Sequence, residues 1–178
     1  MKRSILIPVA AIVLSAAILA GTSLALSGIA VENGRKEHLQ IMQTLLPGST
    51  EFVVEPYTGD DENIVSVHRG ETGFVIETVT RGYVDDIRML IAVSKDGKVT
   101  GLMVRDMHET FGLGAQGLTD TDFLSQFLNT SGEAEVGSTV DALTGATVTS
   151  RAITRAVNSA VAYVTGADAS SGATSWGG

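Results

Sequence analysis

No cysteine occurs anywhere in the 178 residues. Disulfides, thiolate metal sites and cysteine nucleophiles are therefore excluded. Histidine is scarce: His38, His68 and His108 lie far apart with no HExxH spacing. Nothing in that pattern asks for a metal, so no metal ligand and no catalytic residue is assigned. Basic charge is also short, with 12 Lys and Arg against 20 Asp and Glu and a net charge of −8. Lys2 and Arg3 precede the first apolar run, which leaves 10 basic and 20 acidic residues after it. A surface of that sign repels phosphate backbones, and no basic stripe interrupts it, so nucleic acid is not an expected partner. The glycine letters of a dinucleotide fingerprint, GxGxxG, occur once, from Gly112 to Gly117, in a stretch read as a loop and not as the start of a long helix.

Charge is absent altogether from Ile5 to Val31, a run of 27 residues. As a helix this run is roughly 40 Å long, enough to cross about 30 Å of hydrocarbon. Lys2 and Arg3 before it and Glu32 after it place the N-terminus in the cytoplasm and the rest outside. Ser23-Leu24-Ala25 offers the small residues of a signal-peptide cut. The apolar run continues through Leu26, Ile29 and Val31, however, and is longer than a usual signal core, which favours a retained anchor. Either route exports the remainder. The organisation expected is an anchor over 1–31, a folded extracytoplasmic domain over 32–165, and a flexible Gly/Ser/Ala tail over 166–178.

Within the domain, Leu39, Met42, Leu45 and Leu46 recur at helical spacing until Pro47-Gly48 stops them. A short strand is expected within 51–56, then an acidic loop over 57–63. Strands follow at 64–67, 73–80, 86–94 and 99–104, with Asp96-Gly97 forming the last hairpin turn. A short helix is expected at 121–128. A final helix is expected from about Ser150 to Thr165, with Ile153, Val157, Val161 and Val164 as its stripe and Thr149 or Ser150 as its cap. The fold class is α+β, a twisted antiparallel sheet flanked by helices.

Two segments do not read as plain core. Asp141-Ala142-Leu143-Thr144-Gly145-Ala146-Thr147-Val148-Thr149-Ser150 runs straight into the last helix. Its small residues allow close backbone approach, and its hydroxyls at 144, 147, 149 and 150 precede helix N–H groups that suit a phosphate. Alone, the segment is equally an ordinary threonine-rich helix start. His108-Glu109-Thr110-Phe111-Gly112-Leu113-Gly114 carries two glycines that permit a tight turn against a flat object, beside hydrogen-bonding groups on Glu109 and Thr110. Alone, it is equally a solvated hairpin exit.

Together these segments resemble the family of FMN-binding subunits found in the Rnf electron-transport complex (its G-type subunit) and in sodium-translocating NADH:quinone reductase (its C-type subunit). That family carries an Asp-x-x-(Ser/Thr)-Gly-Ala-Thr motif, matched by Asp141, Thr144, Gly145, Ala146 and Thr147. It also carries a His-x-Glu-Thr-Pro-Gly-Leu-Gly loop, of which Glu109, Thr110, Gly112, Leu113 and Gly114 are kept. Met107 stands at the histidine and Phe111 at the proline, which leaves that loop's geometry open. The resemblance covers roughly residues 5–165, including Gly82–Ile87 and Asp96–Gly101.

The resemblance implies an electron-transfer subunit whose FMN is held by a phosphoester to Thr147. Asp141, Thr144, Gly145, Ala146, Thr149, Glu109, Thr110, Gly112 and Leu113 would surround it. It implies partner subunits in a membrane complex, and a separate Mg²⁺-dependent flavin transferase that takes FMN from FAD. No His or Lys lies near Thr147 in sequence to act as base, which argues against self-attachment. Asp168 to Thr174 repeats the attachment pattern in the tail, with only four residues after it, and Thr147 is the preferred site. The competing reading is an exported, flavin-free binding or scaffold module.

Overall fold

The β-branched and apolar runs between Ile64 and Met107 form most of a sheet in the computed structural model, which describes residues 14–16, 18, 21–22, 32–108, 120–132 and 134–167. Two compact units are present, Met1–Gln40 and Ile41–Gly178. Residues 14–16, 18, 21 and 22 are helical, and the remainder of the expected anchor lies outside the described residues. Among the described residues no helix is long and apolar enough to cross a membrane. Residues 32–45 are helical (α1), and Gly48, at φ +84°, follows Pro47 as the expected stop.

Five strands follow: β1 (Val53–Glu55), β2 (Ile64–Arg69), β3 (Gly73–Arg81), β4 (Asp86–Ser94) and β5 (Val99–Met107). They lie in sequence order and every neighbouring pair is antiparallel. β3 and β4 pair without interruption from Gly73↔Ser94 to Arg81↔Asp86. Gly97 takes φ +80° in the turn between β4 and β5, as the Asp-Gly pair predicts. β5 runs three residues beyond the expected end at Val104. Its register shifts opposite Arg88/Met89, and pairing then continues to Ile87↔Met107.

Alternation sends the β4 side chains to two faces. Ile87, Met89, Ile91 and Val93 join one cluster with the last helix, α3 (Thr147–Thr165), whose Ile153, Ala156, Val157 and Ala160 are fully buried. Removing an Ile or Val side chain of this kind from water contributes roughly 1.5–3 kcal/mol. Leu90 and Ala92 are also buried but lie outside that cluster. Ala92 pairs with Gly101, and a Cβ on Gly101 would stand 2.7 Å from the Leu45 carbonyl oxygen. Thr100 Oγ1 donates to that same oxygen at 2.9 Å. The end of α1 thus lies directly on β5, and helices flank the sheet.

Two helices differ from the expected bounds. α2 (Thr121–Ser125) is shorter than 121–128, although its Asp120 cap accepts from Phe123 N–H at 2.9 Å. The chain leaves the helix because Asn129 N–H donates to Val99 C=O and Val99 N–H to Thr130 C=O, with Asn129 at φ +63°. Pairing to the start of β5 outweighs another helical turn. α3 begins at Thr147, three residues before the expected start, and its N-cap is Ala146 instead of Thr149 or Ser150.

Candidate functional site

The early start of α3 has a local cause. Gly145 takes φ +74°, a conformation open to glycine at little cost, and turns the chain into the helix. Leu143 and Ala146 are buried. Leu143 N–H donates to Ser150 Oγ at 3.0 Å, and Ser150 Oγ donates to Ala146 C=O at 2.9 Å. Ala146 N–H closes back on Leu143 C=O at 3.0 Å. Ser150 thus ties the approach loop to the first turn from inside.

This arrangement sorts the four hydroxyls by direction. Thr144 and Thr147 are exposed, whereas Thr149 is 1% exposed and Ser150 fully buried. The expected cluster at one surface is therefore two outward hydroxyls and two inward ones. Thr147 Oγ has no hydrogen-bond partner among the described residues. Ala146 offers no capping side chain to the helix start among the described residues, and no acidic residue lies in its first turn. The positive end of the helix dipole therefore has no acidic residue within its own first turn. An anion joined to Thr147 would sit where that positive end favours it.

Beside this helix start lies a groove of about 420 Å³, lined by Asp120, Asp122, Phe123, Gln126, Asp141, Ala142, Leu143 and Thr144. Its three carboxylates disfavour a phosphate inside it; the surface suited to phosphate is the adjoining Thr144–Val148 stretch. Gln126 spans the groove's two walls. Its Oε1 accepts from Asp141 N–H at 2.8 Å, and its Nε2 lies 3.5 Å from Asp141 C=O. Sequence reasoning did not single out Gln126, because one amide at the end of a short helix reads as solvated. Ser150 was expected as a cap and as one of the outward hydroxyls, not as an internal tie.

Two contacts fix which end of the sheet the site occupies. Thr80 Oγ1 donates to Ala152 C=O at 3.0 Å, and Arg155 Nη2 donates to Arg81 C=O at 2.9 Å. The start of α3 therefore lies at the end where β3 turns into β4 and where β5 finishes at Met107. The exposed Tyr83 and Val84 occupy that turn. Glu109, Thr110, Gly112 and Leu113 lie outside the described residues, as does the second motif copy ending at Thr174. The residues bracketing the first of these segments are placed: His108 follows β5, and Asp120 lines the groove with Asp141 and Thr144. Among the described residues no group of three or more His, Asp or Glu could hold a metal ion.

A sheet end with an uncapped helix start and an exposed threonine defines a candidate anion-bearing cofactor domain, and comparison with known families gives its class. The FMN-binding domain family matches residues 82–162, which span β4, β5, α2 and most of α3. The G-type subunit of the ion-translocating oxidoreductase complex of Methanosarcina acetivorans is 34% identical over 145 residues, covering 72% of this chain and 76% of that protein. The corresponding subunit of a proton-translocating ferredoxin:NAD(+) oxidoreductase complex from Clostridium ljungdahlii is 37% identical over 99 residues, 52% of this chain and 53% of its own. Its counterpart in a Na(+)-translocating ferredoxin:NAD(+) oxidoreductase complex from Acetobacterium woodii is 27% identical over 172 residues, 83% of each. The chain belongs to the FMN-binding subunit family that includes the G-type subunits of Rnf-type complexes.

Proposed function

We propose that this chain is the electron-transfer subunit of an Rnf-type ion-translocating oxidoreductase and carries FMN on Thr147 through a phosphoester. The observation that carries this reading is the Thr147 hydroxyl: exposed, unpartnered among the described residues, and first in a helix with no capping side chain and no acidic first turn. The domain around it matches an FMN-binding family. Related subunits are named for complexes that move protons in one organism and sodium in another, so the reading is held at ion translocation.

The residues present fit the group. Gly145 and Ala146 keep bulk away from the attachment point, and the positive end of α3 would receive the phosphodiester charge. Bound FMN supplies redox chemistry that no side chain offers. Attachment transfers the FMN half of FAD: Thr147 Oγ bonds to phosphorus, the pyrophosphate P–O bond breaks, and AMP leaves with that electron pair. The hydroxyl proton needs an acceptor. No histidine or lysine stands near Thr147 in sequence, and in this reading a separate flavin transferase supplies the acceptor along with Mg²⁺. Thr144 and Asp141 present the motif to that enzyme, and Glu109, Thr110, Gly112 and Leu113 form a further wall for the flavin. Residues 1–31 anchor the domain on the outer side of the cytoplasmic membrane, where a covalent link prevents loss of the flavin.

Peptide mass mapping of the full chain extracted from its native membrane tests this. The peptide containing Thr147 should carry the mass of FMN less one water. An adduct only on the peptide containing Thr174, or none on any peptide, contradicts the assignment.

A further inference from the structure

We infer that Gln126 is a positioning residue for flavin attachment, because its carboxamide holds both backbone polar groups of Asp141, the first residue of the motif. The inference rests on the proposed flavinylation of Thr147. Its geometric basis is the route of the chain into the motif. Residues 135–140 form a closed turn of their own, in which Thr139 and Val140 N–H both donate to Glu135 C=O and Gly137 N–H donates to Val140 C=O. Residues 143–146 are closed in turn by Ser150. Asp141 and Ala142 join these two knots. At Asp141, N–H donates to Gln126 Oε1 at 2.8 Å and C=O faces Gln126 Nε2 at 3.5 Å. The direction in which the motif leaves the first knot is thereby set from α2. A carboxamide carries a donor and an acceptor in one plane, which matches the N–H and C=O of a single residue.

The same device occurs once more, with a different consequence. Asn158 grips Ala134 through its N–H at 3.2 Å and its C=O at 2.9 Å, but both residues are buried. That clamp belongs to the packed interior. Gln126 is half-buried, Asp141 is exposed and their contact bridges an open groove, so its loss should release the loop while the core stays intact.

A loop that spends less time in its competent geometry lowers apparent affinity by that fraction without altering the bound reaction. Full-length, flavin-free protein would be titrated against purified flavin transferase, FAD and Mg²⁺, following covalent flavin fluorescence. Gln126→Ala should raise the KM for the protein substrate about fivefold, with kcat and Tm near wild type. Gln126→Met keeps the length of the side chain without its hydrogen bonds and should behave as the Ala variant. Wild-type KM in either variant overturns the inference; so does a fall in kcat at constant KM, or a KM rise matched by a loss of thermal stability. A wild-type protein that takes no flavin on Thr147 would instead overturn the reading beneath it.

Discussion

The two ends of α3 are built on opposite principles. Its C-terminal end is capped and packed. Gly166 takes φ 69° as a left-handed cap and its N–H returns to Ala162 C=O at 2.8 Å. Tyr163 packs edge-on against Tyr57 and Phe74, and its hydroxyl donates to Glu55 at 3.3 Å. Burial, reinforced by the Glu55 carboxylate, pushes the Tyr163 phenol above its ordinary pKa, as expected for a group committed to packing. At the N-terminal end the cap is an alanine, the first hydroxyl is unused among the described residues, and the neighbouring groove is open. One helix thus supplies a firm hold on the sheet and a free end aimed at solvent. The packed end and the open end lie about five helical turns apart.

The comparison breaks first if the packed half proves dispensable. Asn158→Ala should cost about 2–4 kcal/mol, because the Ala134 N–H and C=O would both lose their partner in a buried place. Thermal unfolding reads this, and flavin occupancy per folded molecule should not change. At the open end the order of effects should reverse. Gly145→Val forces a branched residue into φ +74° at a cost of about 1–3 kcal/mol. Its larger consequence should be on covalent flavin content, which should fall several-fold in protein that remains folded by circular dichroism. A smaller effect sharpens the packed side from within. Thr78 Oγ1 is buried without a hydrogen-bond partner among the described residues. Thr78→Val replaces that hydroxyl with a methyl of similar shape, so the melting temperature should stay level or rise, by up to about 1 kcal/mol in stability.

The sheet was legible in the sequence where side-chain type and turn chemistry agree. β4 occupies the expected residues 86–94, and Asp96-Gly97 makes the expected turn. What depends on a distant partner was not legible. The last three residues of β5 are strand because a bulge restores pairing to Ile87, and α2 stops early because Asn129 and Thr130 are claimed by Val99. The start of α3 was missed because Thr147-Val148-Thr149-Ser150 combines β-branched residues of modest helix propensity with hydroxyls that resemble caps. Placement of Ser150 in the interior resolves it: the hydroxyl expected to face outward fastens the loop from beneath. The attachment motif itself could be read as letters, whereas the groove and the Gln126 clamp join residues 15 apart in sequence.

Covalent attachment of the flavin to the exposed first residue of α3 is the step proposed above. Its most direct test is flavin fluorescence in denaturing gels after co-expression of the full chain with a flavin transferase. Thr147→Ala should abolish the fluorescent band, because the exposed hydroxyl it removes is the proposed acceptor, while the melting temperature stays within a few degrees of wild type. Thr174→Ala, tested beside it, should keep the band. A Thr147→Ala protein that still carries denaturation-resistant flavin would contradict the account.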